Sequence, residues 1–172
     1  MAGRVWPIVQ IGDPVLSRAC APVTRFDESL NALVEDMFVS MRAAQGVGLA
    51  ANQIGTSLRV FVYDCPDIPG ERQIGVVVNP VLRLPPSQER VFDDSEEACL
   101  SVLGKSHSLA RSDVATVTGF DTGGEPLTVH GTGLLARCLQ HECDHLDGLL
   151  YIDRLTAKQR RSLSLHAAQP SH

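Results

Sequence analysis

Two histidines in the C-terminal half of the sequence are spaced as metal ligands on a helix. The stretch from His141 to His145 reads H-E-x-x-H, and residues four apart lie on the same face of a helix. Both imidazoles can therefore reach one ion, while Glu142 can contact a water bound to that ion. The pattern predicts metal-assisted hydrolysis, and the alternative is a solvated helix face with two incidental histidines.

A catalytic metal needs a third protein ligand, and several residues compete for that role. Extended zinc-peptidase patterns place a further histidine where this chain has Tyr151. Cys138 shares the helix face of His141, but three ligands on successive turns of one helix would be awkward, so a pocket wall is the better interpretation. Cys143 points to another side of the helix, and Cys20 and Cys65 belong to no ligand pattern, which leaves Cys99 as the remaining cysteine candidate.

The elements that must position these side chains follow from the apolar pattern. Apolar residues at helical spacing predict a helix over residues 27–44, with Asp27 as its N-cap, and a glycine-rich loop over 45–55 follows. The same spacing predicts a second helix over 132–146, with Gly148 where a capping glycine belongs. The second helix carries both histidines.

Short strands are predicted between the two helices, and the order of elements lacks regular βαβ alternation. We therefore predict an α+β fold, with mainly antiparallel sheets packed around a central metal-binding helix, in one domain over residues 1–172. A turn pattern at Asp121-Thr-Gly-Gly joins the last two strands as a hairpin. The predicted strands are 58–63, 74–78 continued at 81–84, 114–120 and 126–130; residues 149–152 are predicted extended, and about 156–172 a short C-terminal helix or tail.

Composition limits the class of protein. The 172 residues are 44% hydrophobic and 20% charged, which fits one domain with an aliphatic core. A formal net charge of −5 argues against a nucleic-acid binder. No apolar run is long enough to span a membrane, and the N-terminus lacks the pattern of a secretory signal. Because the five cysteines are odd in number and widely spread, we predict reduced thiols in a cytoplasmic protein.

Three separated motifs together resemble those of the peptide deformylases. Residues 46–53, Gly-Val-Gly-Leu-Ala-Ala-Asn-Gln, resemble the family's G-x-G-x-A-A-x-Q motif. Residues 97–101, Glu-Ala-Cys-Leu-Ser, are similar to its E-G-C-L-S motif, and residues 140–145, Gln-His-Glu-Cys-Asp-His, match its Q-H-E-x-x-H motif. The resemblance extends over about residues 7–155, and three motifs in the family's order are far more specific than one.

The resemblance implies a hydrolase that removes the N-formyl group from the N-terminal formylmethionine of newly made polypeptides and releases formate. It implies one divalent ion held by Cys99, His141 and His145, with Fe(II) the usual ion and zinc, nickel or cobalt able to replace it. A thiolate with two imidazoles suits these metals but does not choose between them. Implied partners are N-formylmethionyl peptides and, transiently, the ribosome, and we expect a monomer.

The resemblance also assigns roles to residues around the ion. Glu142 is the general base and then the general acid. The Gln53 side-chain amide and the Leu100 backbone N–H donate to the formyl oxyanion. Glu97 forms an ion pair with Arg111.

Substrate contacts are assigned in the same way. Gly46 and Gly48 let the peptide approach the loop backbone, while Val47, Leu134 and Cys138 line the pocket for the methionine side chain. Core packing is an equally good interpretation for Val47 and Leu134.

The sequence departs from the family pattern at a few positions. Ala98 replaces the usual glycine before the metal cysteine, which predicts a small local shift if that position needs positive φ. Leu103 stands where many members have proline, so a divergent paralogue with altered acyl substrate or inhibitor tolerance is an alternative. A short basic cluster near residue 160 puts ribosome docking in doubt. Two further alternatives are a zinc peptidase, which would not need Cys99, and a non-catalytic metal-binding protein.

Overall fold

In the described part of the chain, one helix is followed by a run of antiparallel strands and then by two further helices, without βαβ units, and the α+β prediction is confirmed. The computed structural model describes residues 3–66 and 71–164. In chain order the elements are α1 (Glu28–Ala43), β1 (Gly48–Ala50), β2 (Val60–Pro66), β3 (Arg72–Arg83), β4 (Phe92–Asp93), β5 (Glu96–Cys99), β6 (Val102–Ser108), β7 (Arg111–Ser112), β8 (Val114–Phe120), β9 (Pro126–Thr132), α2 (Gly133–Leu146) and α3 (Ala157–Ser162).

A five-stranded sheet with strand order β1-β2-β3-β8-β9 forms the centre of the fold. Every neighbouring pair in it is antiparallel. Successive side chains of a strand point to opposite faces, so Phe61 and Tyr63 of β2 pack towards α2, while Val60 and Val62 pack towards α1. The sheet is therefore covered by a helix on each face, and β2 is buried on both.

Helix α1 forms where the sequence predicts it, because its cap and its apolar stripe agree. The Asp27 carboxylate accepts a hydrogen bond from the Ser29 N–H at 3.1 Å, which satisfies a free donor of the first turn. Leu30, Val34 and Met37 are buried at helical spacing against the sheet. This helix supports the sheet on the face opposite the metal-binding helix.

Helix α2 is buried on nearly all sides, as expected of a central helix. It packs across the strands of the main sheet, and Leu135, Leu139 and Leu146 join the core cluster between them. Its C-terminus ends before Gly148, which has φ +78°. A Cβ there would lie 2.8 Å from the Arg18 carbonyl carbon, so only glycine fits both the conformation and the space.

Strands β5 and β6 form a separate two-stranded sheet that the strand predictions did not include. Its register shifts between Ala98 and Cys99, where the chain turns towards α2. Ala98 is exposed, and its φ is not positive. The methyl group at this position therefore meets no left-handed backbone strain.

The predicted extended segment at 149–152 is confirmed at Leu150, whose backbone is extended, and is wrong at Tyr151 and Ile152. Residues Tyr151–Arg154 form a short 3-10 helix, because the Asp153 carboxylate accepts the Leu150 N–H at 2.8 Å and closes the turn. Helix α3 begins after its cap Thr156, within the predicted C-terminal helix, and residues 165–172 of that prediction lie outside the described residues. Within the described part of the chain, no helix has both the length and the apolar character for crossing a membrane.

Candidate metal centre and active site

Cys99, His141 and His145 lie together, although Cys99 precedes His141 by 42 positions in the sequence. The Cys99 Sγ atom is 3.2 Å from His145 Nε2, which is 3.1 Å from His141 Nε2. The donor atoms of the three residues all lie within 4.8 Å of one another. Strand β5 ends at the cysteine, and α2 presents both imidazoles on one face.

The donor set fits a divalent ion of borderline softness. His141 Nδ1 is 2.7 Å from Glu97 Oε1, so the ring holds its proton on that side and turns Nε2 towards Cys99 and His145. Burial lowers the pKa of His145, which favours the neutral imidazole that a metal requires. An ion held by one thiolate and two imidazoles would keep a fourth coordination position for water.

Glu97 is held by the predicted partner, Arg111. Arg111 donates to both carboxylate oxygens, from Nη2 at 2.6 Å and from Nε at 3.0 Å. Its Nη1 donates to Asp144 at 2.8 Å, which places a second buried carboxylate beside it. Burial alone would raise the pKa of Glu97, but the hydrogen bonds from His141 and Arg111 outweigh it and hold the pKa well below its ordinary value.

The Glu142 carboxylate lies in a buried position beside the histidines. Its Oε2 atom has no hydrogen-bond partner among the described residues. Burial raises its pKa to about 7, so the group can accept and release a proton near neutral pH. A Cβ on Gly48 would collide with this carboxylate and would lie 2.7 Å from Cys138 Sγ.

Gln53 is fixed by a short 3-10 helix over Ala51–Ile54. Its Oε1 accepts the Ala50 N–H at 3.0 Å, and its Nε2 donates to Ser101 Oγ at 3.1 Å. The same Nε2 lies 3.8 Å from Cys99 Sγ. The amide nitrogen is therefore a preoriented donor next to the metal ligands.

A cleft of about 540 Å³ opens onto these groups. Val47 and Leu134 are 40% and 43% exposed at its wall, which argues against core packing for both. Leu103 is 70% exposed and also lines the cleft. His145 is buried behind the lining; the predicted site residues in the lining are Gly46, Val47, Gly48, Gln53, Cys99, Leu100, Leu134, Cys138, His141 and Glu142.

Sequence reasoning missed several supporting residues. Asn52 Nδ2 donates to the His145 carbonyl at 2.7 Å, and Asp144 accepts from Arg154 at 2.5 Å. Arg137 lies one helical turn before His141 and donates to Glu97 at 2.8 Å. The four-residue spacing from Arg137 to His141 was the available signal, since it places both on one helix face.

The fold and site are those of a metal-dependent hydrolase, with a cysteine and two histidines that could hold an ion beside a buried glutamate. The sequence profile described as "Polypeptide deformylase" matches residues 5–161. Peptide deformylase 2 of Streptomyces coelicolor is 54% identical over 169 residues, covering 98% of this chain and 93% of that protein. Peptide deformylase 1 of Streptomyces avermitilis is 57% identical over 159 residues, covering 92% and 74%.

Solved structures agree with these sequence matches. The crystal structure of peptide deformylase from Ehrlichia chaffeensis in complex with actinonin has a TM-score of 0.83 and 36% identity, covering 93% of this chain and 94% of that one. The peptide deformylase from Thermus thermophilus has a TM-score of 0.80 and 38% identity, covering 92% and 90%. The chain belongs to the peptide deformylase family. It is a metal-dependent enzyme that removes the N-formyl group from N-terminal formylmethionine and releases formate.

Proposed function

We propose that deformylation takes place at the centre formed by Cys99, His141 and His145, with Glu142 carrying the proton. The observation that carries this assignment is the buried Glu142 carboxylate, whose Oε2 lacks a partner among the described residues and lies beside the metal trio. Burying a carboxylate without a partner is costly, so a group that stays buried in this way at a cleft is a candidate for a functional role. Proton transfer to and from substrate at neutral pH is such a task.

Glu142 takes a proton from the attacking water and gives it to the amine that leaves. Water adds to the formyl carbon, the C–N bond breaks, and formate and the free α-amine are released. A divalent ion held by Cys99, His141 and His145 would supply a water that ionises near neutral pH and a positive charge that stabilises the developing oxyanion. With a pKa of about 7, Glu142 can serve first as base and then as acid without a large energetic penalty in either direction.

Charge that develops on the formyl oxygen needs donors that are already in position. We assign this role to the Gln53 side-chain N–H and the Leu100 backbone N–H. Gln53 cannot turn away freely, since Ala50 and Ser101 bind its two amide atoms. Leu100 directly follows the ligand Cys99 and lines the cleft, so its backbone is tied to the metal centre.

The cleft suits an apolar side chain and an extended peptide. Val47, Leu134 and Cys138 supply an apolar wall for methionine. Gly46 and Gly48 leave room for backbone, because a side chain at Gly48 would fill the space next to Glu142. We infer that residues 1–172 act as one catalytic domain and as a monomer on newly made chains in the cytoplasm. Any ribosome contact would use the exposed basic side chains of α3, namely Lys158, Arg160 and Arg161.

We infer that Fe(II) is the cellular ion, on the resemblance to the family, with zinc, nickel and cobalt as functional substitutes. The thiolate and two imidazoles support all four metals. Metal analysis of protein purified without air tests this inference. A preparation that holds mainly zinc and releases formate at full rate would contradict it.

Formate release from formyl-Met-Ala-Ser by metal-replete protein tests the function. We expect Glu142→Gln to lose about 10² to 10⁴ in rate while keeping its metal. We expect Cys99→Ala to lose metal and activity, whereas Cys143→Ala, which removes a buried thiol of α2 outside the trio, keeps both. Absence of formate with metal-replete wild type would overturn the proposal.

Leu103 favours a second candidate, a paralogue with altered acyl or inhibitor tolerance. Its 70% exposed side chain adds an apolar group to the cleft entrance. Comparing formyl, acetyl and propionyl peptides separates the two candidates. A preference for the formyl peptide by more than a hundredfold supports the housekeeping reaction, and comparable rates support the paralogue.

A further inference from the structure

We propose that Arg137 is a positioning residue for the metal centre, which fixes the Glu97 carboxylate and through it the His141 ring. This inference rests on the proposed function, since it takes His141 as a metal ligand. The resemblance to known motifs assigned only Arg111 to Glu97. The contacts of Arg137 give it a separate task.

A chain of two hydrogen bonds links Arg137 to the imidazole. Arg137 Nη1 donates to Glu97 Oε2 at 2.8 Å, and Glu97 Oε1 lies 2.7 Å from His141 Nδ1. Arg137 and His141 are one turn apart on α2, whereas Glu97 comes from β5. The guanidinium therefore connects the two elements that supply the metal ligands.

All hydrogen-bond acceptor positions of the Glu97 carboxylate are occupied when Arg137 is present. Glu97 Oε1 accepts from Arg111 Nη2 and faces His141 Nδ1, while Oε2 accepts from Arg111 Nε and Arg137 Nη1. Two contacts at each oxygen use the full acceptor capacity of an ionised carboxylate. One orientation of Glu97 satisfies all of them, and without Arg137 the carboxylate is held by Arg111 and His141 alone, with one acceptor position open.

Arg137 is itself held in place by the backbone. Its Nη1 donates to the Leu109 carbonyl at 2.8 Å, and its Nη2 donates to the Asp93 carbonyl at 2.7 Å. The side chain is buried, so these bonds are shielded from water. Because a guanidinium is planar and rigid, three fixed partners determine where it points. Lysine, with a single flexible ammonium group, cannot reproduce this arrangement.

Charge balance gives Arg137 a second effect. Glu97 and Asp144 are two buried carboxylates, and Arg111 and Arg137 are the two buried guanidinium groups that meet them. Among the described residues, loss of Arg137 leaves Arg111 as the one guanidinium on Glu97, while Asp144 keeps Arg111 and the exposed Arg154. Such a change also weakens folding. The test must therefore measure metal binding by folded protein, separately from stability.

The experiment compares Arg137→Met and Arg137→Lys with Arg59→Met. Arg59 is the matched control, since it binds the other end of α2 through the Leu146 carbonyl at 3.1 Å and Asp147 at 2.9 Å. Zinc affinity is measured by competition with a chromophoric chelator, well below each melting temperature. The absorption spectrum of the Co(II)-loaded protein reports the geometry around the ion.

We expect Arg137→Met to weaken zinc binding by about 10-fold, the lower end of the range for direct partners of metal ligands because Arg137 acts through Glu97, and to change the Co(II) spectrum. Arg137→Lys should show a smaller loss, and Arg59→Met should change stability alone. Wild-type zinc affinity in folded Arg137→Met overturns the proposal. If that variant does not fold, unchanged affinity in Arg137→Lys overturns it. Wild-type protein that neither binds zinc nor releases formate would instead refute the proposed function.

Discussion

Gly48 lies so close to Glu142 that a side chain at position 48 would displace the Glu142 carboxylate. A Cβ at Gly48 would collide with the carboxylate and approach Cys138. We expect Gly48→Ala to lower kcat/KM by about 10²-fold, because displacing Glu142 removes most of its proton transfer. The measurement is formate release, with bound metal determined in parallel.

Gly123→Ala provides the control for this substitution. Gly123 lies in the turn between β8 and β9, and a Cβ there would meet only Asp121 at 3.3 Å. Its activity should equal that of wild type. Full activity in Gly48→Ala would show that Glu142 tolerates displacement, contrary to its assigned role.

Tyr151 carries a buried hydroxyl with no hydrogen-bond partner among the described residues. Burial raises its pKa to about 12, with the charges of Cys99 and Glu97 adding to the effect, so the hydroxyl stays protonated. An unpaired buried hydroxyl costs roughly 1–3 kcal/mol. We expect Tyr151→Phe to increase the free energy of unfolding by about 1 kcal/mol in metal-free protein, measured by urea titration. Destabilisation of that size would mean that the hydroxyl has a partner.

At the scale of elements, the end of α2 depends on Gly148. Its left-handed conformation alone costs an alanine about 1–2 kcal/mol. A Cβ would also lie 2.8 Å and 2.9 Å from two backbone atoms of Arg18, which cannot move as a flexible side chain can. We therefore expect Gly148→Ala to destabilise the protein by more than about 2 kcal/mol in chemical denaturation.

Gly55→Ala separates conformation from crowding. Gly55 has φ +86°, similar to the +78° of Gly148, but a Cβ there would meet nothing within 4 Å. Gly55→Ala should therefore lower the free energy of unfolding only by the cost of the left-handed backbone conformation, about 1–2 kcal/mol. Equal losses in the two variants would contradict the proposed contact with Arg18.

The elements with clear periodicity were predictable, and those with local side-chain causes were not. Helix α2 and the hairpin of β8 and β9 follow from apolar spacing and a turn sequence. Strands β4 and β7 have only two residues each, too few to show a period. The turn at Tyr151–Arg154 depends on the Asp153 side chain, which a propensity argument does not include.

The site residues also divide into those that sequence spacing predicts and those that only the folded chain brings together. Spacing alone indicates His141 and His145, because one helix determines their distance. Cys99 has no fixed spacing to them, since β5 approaches α2 only in the folded chain, and it was reached through the resemblance of motifs. Arg137 could have been found from its helical position, but only knowledge of the fold shows that Glu97 lies opposite.

At the scale of the whole molecule, metal binding and folding are linked, because the ligands come from two elements. A ligand that binds only the folded state adds about 2.7 kcal/mol at a free concentration one hundred times its dissociation constant. We expect chelation to lower the melting temperature and to speed hydrogen exchange in β5 and β6. The melting temperature of Cys99→Ala should not respond to metal. If metal raised the melting temperature of Cys99→Ala as much as that of wild type, the metal would bind at a different site.

The residues assigned to the reaction are buried or half-buried, whereas those at the rim of the cleft are exposed and can be substituted more easily. Eleven of the fourteen residues of α2 are buried, and its inward positions serve the ion, the proton carrier or the core. Val47, Leu103 and Leu134 line the cleft from exposed positions. Mutations at the rim can therefore accumulate with little cost to stability, while the helix tolerates few. Natural or laboratory evolution of this enzyme should alter what enters the cleft long before it alters the reaction performed there.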